Sequence, residues 1–180
     1  YETKYPYRYG MKKAEVQGIY FQKIKPNLFD KVIELLEEEG CVKREGEFLC
    51  TPGFEVRKDG TYEKVSAVLL NTFEKARFVR YSEIELPGVD RGTGDDILNI
   101  LLVEGAVVKV TDDMYTLKSY MEEARQVICE KLAEDPVITI AQVRDIFGTS
   151  RKSAKPILEY MDSQKVTKKT GAESERVAYL

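Results

Sequence analysis

The chemistry most evident in this sequence is a cluster of cations at the start of a segment with helical spacing. Arg151, Lys152 and Lys155 occur within five residues, directly after the hydroxyl of Ser150. Cationic side chains and the N–H groups at the start of a helix attract phosphate together. Residues 148–171 contain six Lys or Arg and only two acids. The pattern favours contact with nucleic-acid phosphate, and the alternative is a solvated, charged helix face.

Catalytic and metal-binding chemistry finds little support in the composition. Histidine is absent, and Cys41, Cys50 and Cys129 have no metal-ligand spacing. Cys41 and Cys50 could face each other across a hairpin, but reduced strand cysteines are expected in the cytosol. The sequence contains no G-x-x-x-x-G-K-S/T phosphate loop. We therefore predict a non-catalytic chain with no metal and no cofactor.

The elements that position the cations are predicted to be a helix-turn-helix. An apolar helix at Ile140–Phe147 precedes Gly148, which allows the backbone to turn sharply. A second helix runs to about Ser163, and Pro156 predicts an irregular start to it. Apolar residues recur at the i, i+3, i+4, i+7 spacing of an inward face: Ala154, Ile157, Leu158 and Met161.

Two strands are predicted after the second helix. Lys165–Lys169 would pair with Arg176–Leu180 across a polar tip at Thr170–Glu175. A helix-turn-helix followed by a β-hairpin is the winged-helix arrangement. Three basic residues would then lie on or beside the wing: Lys168, Lys169 and Arg176.

The order of helix, break and hairpin occurs three times. Residues 33–43 (IELLEEEGCVK) align with 99–109 (NILLVEGAVVK) and, more weakly, with 158–168 (LEYMDSQKVTK). A spacing of about sixty residues suits small winged-helix units. We predict an α+β fold, mainly helical: a tandem array of three winged-helix domains at 1–54, 55–119 and 120–180.

Periodicity and turn residues place the other elements. Residues 91–94 are predicted as a turn and 78–81 as strand-like. Two further hairpins are predicted, Cys41–Arg44 with Glu47–Thr51 and Ala106–Val110 with Met114–Lys118. The remaining helices are predicted at 12–20, 26–39, 60–75, 95–104 and 120–135.

Charge is divided unevenly, although the net charge is only −3. Residues 120–180 hold ten basic and ten acidic groups, and residues 1–119 hold 18 and 21. Acidic runs at 37–39, 95–96 and 112–113 would repel phosphate. We therefore expect nucleic-acid contact in the last unit only.

Two features of the whole chain bear on its setting. No apolar run approaches 18 residues and no leader peptide is recognisable, so we expect a soluble, cytoplasmic protein without a membrane partner. The first residue is Tyr1 rather than Met, which predicts a fragment of a longer protein. The sequence has no heptad repeat, and we expect a monomer.

The residues around the helix-turn-helix resemble the SelB family, the bacterial selenocysteine-specific translation elongation factors. The similarity runs through Ala141–Lys152 (AQVRDIFGTSRK) and continues at Ala154, Pro156, Leu158, Glu159 and Tyr160. Near the start of the chain, Tyr5–Met11 (YPYRYGM), Leu28–Asp30 and Pro52–Phe54 resemble an earlier winged-helix unit of that family. Residues 55–119 are similar in architecture more than in motif.

The resemblance implies that this chain is the last three of four winged helices that follow a GTP-binding portion. In that family the last unit holds the mRNA hairpin that marks a UGA codon for selenocysteine. The implied partners are this hairpin and, through the full-length protein, the ribosome and selenocysteinyl-tRNA. We expect seven residues to contact the RNA: Ser150, Arg151, Lys152, Lys155, Lys168, Lys169 and Arg176.

Two other functions remain open from the residues alone. A DNA-binding transcription regulator would place the same helix in a duplex major groove and would normally dimerise. A protein-interaction array would use the winged helices as scaffold and its basic patch for an acidic partner. RNA recognition would instead combine phosphate contacts with outward-turned bases, read by groups such as Ser150 and Arg151.

Overall fold

The computed structural model describes residues 1–172 and 174–179. Glu173 of the predicted wing tip and Leu180 of the last predicted strand lie outside the described residues. The helices are α1 Lys13–Tyr20, α2 Pro26–Glu38, α3 Gly60–Ala76, α4 Arg91–Val103, α5 Lys118–Glu134, α6 Ile140–Ile146 and α7 Arg151–Ser163. The strands are β1 Met11–Lys12, β2 Lys43–Glu45, β3 Phe48–Cys50, β4 Val79–Arg80, β5 Val107–Lys109, β6 Met114–Leu117, β7 Ile138–Thr139, β8 Thr167–Lys169 and β9 Glu175–Ala178.

The strands form three antiparallel sheets of three strands each, in the orders β1-β3-β2, β4-β6-β5 and β7-β9-β8. Each sheet combines a hairpin with a two-residue strand that precedes the helices, and the second hairpin strand lies in the middle. This is the winged-helix pattern, and the predicted fold class is confirmed: α+β, mainly helical and tandem. The strands β1 and β7 were not predicted, because two residues are too few to show a periodicity.

Two compact units divide the described chain. The first comprises residues 1–66 and 86–100, and the second comprises residues 67–85 and 101–180. In the first unit, Phe29 and Ile33 of α2 are fully buried against Leu49 of β3. Partly buried apolar residues complete that core: Val16, Phe21, Ile24, Leu36 and Val42.

The second unit has the larger core, built on α5, α6 and α7. Its buried members are Met121, Ala124, Ile128, Ile138, Ile140, Val143, Ala154, Ile157, Leu158 and Met161. Phe78 and Phe147 pack on Tyr120 at its edge, with ring centroids 5.2 and 6.2 Å apart. The aromatic contacts add to the apolar burial that holds α5 against the helix-turn-helix.

One helix begins earlier than the sequence predicted. The expected turn at 91–94 is the first turn of α4, which starts at Arg91 rather than Asp95. The carboxylate of Asp90 accepts hydrogen bonds from the backbone N–H (3.0 Å) and the hydroxyl (2.8 Å) of Thr93. This cap supplies the acceptor that the first turn needs, despite the two glycines that suggested a turn.

The structure also decides whether Cys41 and Cys50 face each other across the hairpin. The β2–β3 register places Lys43 opposite Cys50, and Cys41 precedes the strand. The two cysteines therefore do not face each other across the hairpin. All three cysteines are free thiols.

Candidate nucleic-acid interface

The first helix of the helix-turn-helix, α6, begins with a capping box. The Thr139 hydroxyl accepts the backbone N–H of Gln142 (3.2 Å), and the Gln142 side chain accepts the backbone N–H of Thr139 (2.7 Å). Such a reciprocal pair satisfies two N–H groups that would otherwise lack acceptors. Ile140 and Val143 then face the core, and Arg144 and Asp145 form an exposed ion pair at 2.6 Å. The cap and the apolar face hold α6 against the unit.

The turn after α6 requires a glycine. Gly148 has φ = +56°, a left-handed conformation that side chains with a Cβ rarely adopt. The N–H of Thr149 donates to the carbonyl of Arg144 (3.0 Å) and closes the end of α6. The chain is thereby redirected into α7 within four residues of Ile146.

The start of α7 presents cations without opposing acids. Ser150 is the N-cap residue, but its side chain caps no N–H and lies 3.4 Å from the hydroxyl of Ser153. The first turn of α7 therefore has no side-chain cap. Arg151 and Lys152 are exposed, and neither has an ion pair or side-chain hydrogen bond among the described residues. Free N–H groups and two cationic side chains thus combine at one helix end.

The inward face of α7 is confirmed, and one further residue belongs to it. Ala154, Ile157, Leu158 and Met161 are buried as predicted, and Pro156 is buried with them. The helix is continuous from Arg151 to Ser163, so the predicted irregularity at Pro156 does not interrupt it. This packing fixes which side of α7 faces outward.

Both acids of α7 are engaged by basic residues. Glu159 lies 3.8 Å from the ammonium of Lys155, four residues earlier. Asp162 accepts a hydrogen bond from Nε of Arg176 at 2.6 Å and another from the hydroxyl of Thr167, also at 2.6 Å. Lys155 is therefore partly neutralised, whereas the charges of Arg151 and Lys152 are not.

Arg176 does not lie on the surface that the sequence predicted. Its side chain is fully buried, with an exposed fraction of 0%, and its guanidinium also donates to the carbonyl of Glu175 (3.0 Å). A cation that leaves water must be paired, and Asp162 provides that pairing. Arg176 thus joins β9 to the end of α7 and has no surface for RNA.

The wing itself carries exposed cations. Lys168 pairs with Val177 and Lys169 with Arg176 in the β8–β9 ladder. Both lysines are exposed, and neither has an ion pair or side-chain hydrogen bond among the described residues. Lys165, which the sequence reasoning left out of the interface, is also exposed, just before this strand.

Two tyrosines near the interface differ in accessibility. Tyr160 is half-buried between α5 and α7, and burial together with nearby Glu122 raises the pKa of its hydroxyl. Tyr179 follows β9 and is 47% exposed. Only Tyr179 presents a ring that a base could stack on.

The acidic runs outside the last unit are engaged within the fold. Glu37 pairs with Arg44 at 2.8 Å. Asp96 pairs with Arg8 at 2.7 Å, and its pKa is nevertheless raised because burial outweighs the attraction of the guanidinium. Asp112 pairs with Lys109 at 3.1 Å. Glu37 and Asp112 pair with residues nearby in the sequence, whereas Asp96 pairs with a residue 88 positions away.

The described residues show neither of two other kinds of site. No group of three or more His, Cys, Asp or Glu within them is arranged to hold a metal ion. Their helices also lack the length and apolar character that a bilayer span requires.

Two family models match the ends of the chain. Both are described as the winged helix of elongation factor SelB; one matches residues 130–174 and the other residues 1–49. Together they include the helix-turn-helix and most of the first winged-helix unit.

Similar proteins extend the comparison to nearly the whole chain. A selenocysteine-specific elongation factor of Desulfomicrobium baculatum is 25% identical over 174 residues, which are 95% of this chain and 27% of that relative. The mRNA-binding domain of E. coli elongation factor SelB, solved with SECIS RNA, has a TM-score of 0.53 at 22% identity and covers 66% of this chain and 98% of its own. A bacterial EF-Sec structure has a TM-score of 0.55 at 19% identity, over 98% of this chain and 27% of its own. The chain thus spans about a quarter of the full-length proteins it matches.

Proposed function

This chain belongs to the SelB family of selenocysteine-specific elongation factors, and from that premise we propose that it binds a hairpin in messenger RNA. The hairpin is of the kind that directs selenocysteine insertion at a UGA codon. The observation that carries the proposal is a set of exposed cations at the start of α7 and on the wing, none of which has an acidic partner among the residues that the structure describes: Arg151, Lys152, Lys168 and Lys169.

Recognition in this proposal combines phosphate contacts with a few base contacts. The deep, narrow major groove of RNA does not admit a helix, so specificity must come from the loop and from backbone shape. The lysines neutralise phosphates, while Ser150 and Arg151 at the helix start read outward-turned bases. Lys155 contributes less, because Glu159 lies beside it.

The rest of the proposal concerns the full-length protein. We propose that this chain is the non-catalytic tether, and that GTP binding and selenocysteinyl-tRNA binding belong to another part of it. The tether would act in the cytoplasm, as a monomer, and bring that part to the message on the ribosome. We also propose winged-helix domains at 1–54, 55–119 and 120–180, each with one of the three sheets. The boundary between the two compact units falls within α3 and α4, so it does not follow these limits.

A titration with three labelled ligands tests the function. The ligands are an mRNA hairpin of the selenocysteine type, a duplex DNA of the same sequence and an unrelated RNA hairpin. We expect the first to bind at least tenfold more tightly than the other two at 0.15 M salt. Tighter binding to the DNA would instead indicate a transcription regulator. Equal, weak binding to all three would contradict nucleic-acid recognition and favour a protein-interaction role.

A further inference from the structure

Four helix ends in this chain have the same hydrogen-bonded cap. After α2, Cys41 N–H donates to the carbonyl of Leu36 (2.8 Å) and Gly40 N–H to that of Glu37 (3.0 Å). After α4, Ala106 donates to Leu101 (2.9 Å) and Gly105 to Leu102 (3.1 Å). After α6, Thr149 N–H donates to the carbonyl of Arg144 (3.0 Å) and Gly148 N–H to that of Asp145 (3.4 Å). After α7, Val166 donates to Met161 (2.9 Å) and Lys165 to Asp162 (3.1 Å). This pair of bonds is the Schellman motif, which needs a residue in the left-handed conformation.

The residue at that position differs in the last copy. Gly40, Gly105 and Gly148 have φ angles of +69°, +72° and +56°, as the motif favours. Lys165 occupies the same place with φ = +55°. A side chain with a Cβ is sterically disfavoured there, so the lysine destabilises the cap relative to the glycine found in the three other copies.

A contact within the fold explains the other non-glycine residue with a positive φ but does not explain Lys165. Arg77 has φ = +57°, and its guanidinium lies over the ring of Tyr120, 4.5 Å from the centroid. Lys165 is exposed and has no ion pair, side-chain hydrogen bond or ring contact among the described residues. No contact among the described residues therefore accounts for the conformational cost at Lys165.

The position of Lys165 places it close to the cations of the wing. Lys165 lies three residues before Lys168, and a chain spans at most about 3.6 Å per residue, so their Cα atoms lie within about 11 Å. Arg176 and Asp162 neutralise each other beside this junction, and no acid pairs with Lys165, Lys168 or Lys169 among the described residues. We infer that Lys165 is a further RNA-binding residue, a contact to backbone phosphate that extends the interface from the wing to the C-terminal end of α7. This inference rests on the proposed function.

Replacement of Lys165 by glycine separates binding from folding. Lys165→Gly removes the charge and relaxes the cap, so the Tm should stay the same or rise. Affinity for the mRNA hairpin should fall about five- to eightfold at 0.1 M salt, and the salt slope should drop by about one, as for one lost phosphate contact. Lys165→Asn, which tolerates the left-handed conformation without a charge, should behave alike. Lys165→Arg should keep the wild-type affinity.

The same titration distinguishes the possible failures. If Lys165→Gly binds as tightly as the wild type while Lys168→Ala binds more weakly, Lys165 is only a helix cap and the inference is wrong. If neither variant changes the affinity, both the inference and the proposed RNA interface are overturned. Weaker binding in Lys165→Gly with an unchanged salt slope would also count against a phosphate contact.

A matched variant tests the conformational premise. Gly40 has open space where a Cβ would lie, so Gly40→Lys introduces the left-handed strain and little else. It should lower the Tm and leave RNA affinity unchanged. An unchanged Tm would mean that a lysine carries no cost in this motif, and the argument from Lys165 would fail.

Discussion

Arg151 and Lys152 occupy adjacent exposed positions, yet their side chains can do different things to RNA. A lysine ammonium is a point charge that neutralises phosphate whatever the sequence. An arginine guanidinium is planar and can donate two parallel hydrogen bonds to one base edge. The two residues should therefore separate affinity from specificity.

Alanine substitutions test this difference. Lys152→Ala should weaken binding to every hairpin alike and lower the salt slope by about one. Arg151→Ala should cost about 1–3 kcal/mol on the matched hairpin and less on a mismatched one. The measurement is affinity against salt concentration on both hairpins, with thermal melts as the control. Unchanged affinity in both variants, with intact melts, would contradict the proposed site.

The pair formed by Arg176 and Asp162 acts on stability rather than on RNA directly. Asp162→Ala would leave a fully buried guanidinium without its carboxylate, which should cost on the order of 3 kcal/mol of unfolding free energy. The double variant Asp162→Ala with Arg176→Met should recover part of that loss, because no charge remains to be buried. Urea unfolding of the single and double variants measures this coupling. Strict additivity would show that the two side chains are not energetically linked.

At the scale of elements, helix starts depend on single carboxylates. The Asp59 carboxylate accepts the backbone N–H groups of Thr61 (3.0 Å) and Tyr62 (3.2 Å) at the start of α3, and the hydroxyl of Tyr7 (2.9 Å). The Tyr7 hydrogen bond is the main reason that the pKa of Asp59 is lowered below its usual 3.8. A lowered pKa in the folded state means that the ionised carboxylate of Asp59 stabilises the fold more than the protonated carboxyl does.

This sign gives a pH prediction. The stabilisation by Asp59 is present above pH 3.8 and is lost as the pH falls through the lower folded-state pKa. Asp59→Asn should therefore lower the Tm at pH 7, and its difference from the wild type should shrink below pH 3.8. Thermal melts between pH 7 and pH 3 measure this, with Glu38→Gln as an exposed control. A difference that stays constant over that range would contradict a role for the carboxylate charge.

For the whole molecule, charge location matters more than net charge. The chain carries a net charge of −3, so its overall field does not draw it to RNA. The two acids of α7, Glu159 and Asp162, form ion pairs within the fold. The cations at the start of α7 and on the wing are thereby left to act at short range.

Two variants test whether the location of charge governs binding. Each carries four alanine substitutions and loses the same positive charge. Alanine at Arg151, Lys152, Lys168 and Lys169 should reduce affinity for the mRNA hairpin at least a hundredfold at 0.1 M salt, since each phosphate contact contributes roughly five- to eightfold. Alanine at Lys23, Lys25, Lys31 and Lys64 should leave affinity within twofold. These lysines of the first unit are exposed and have no partner in the described part of the chain. Equal losses in both variants would show that net charge, rather than a local site, governs binding.

Several features could be predicted because neighbouring residues determine them. The inward face of α7 follows from the spacing of Ala154, Ile157, Leu158 and Met161, which the structure buries. The turn at Gly148 follows from the conformational freedom of glycine. The three hairpins follow from short apolar runs on either side of a turn.

The register of the internal repeat could not be predicted from the sequence. The sequence-based alignment placed Leu36 opposite Leu102, whereas the hydrogen bonds of the helix caps make Leu36 equivalent to Leu101. Apolar residues occur at both positions, so composition alone does not distinguish the two registers. The cap distinguishes the two registers, because it requires one particular residue to adopt the left-handed backbone conformation.

The sequence by itself determined the winged-helix fold, the helix-turn-helix and the cationic start of α7, since helical and turn patterns depend on contacts a few residues apart. Only the tertiary structure decided which basic side chains remain outside. Arg176 pairs with Asp162, 14 residues away, and leaves the surface, while Lys165 takes a left-handed cap position and stays exposed. Both outcomes depend on how α7 packs against the wing, because burial and pairing of a charge are set by neighbours in space rather than along the chain.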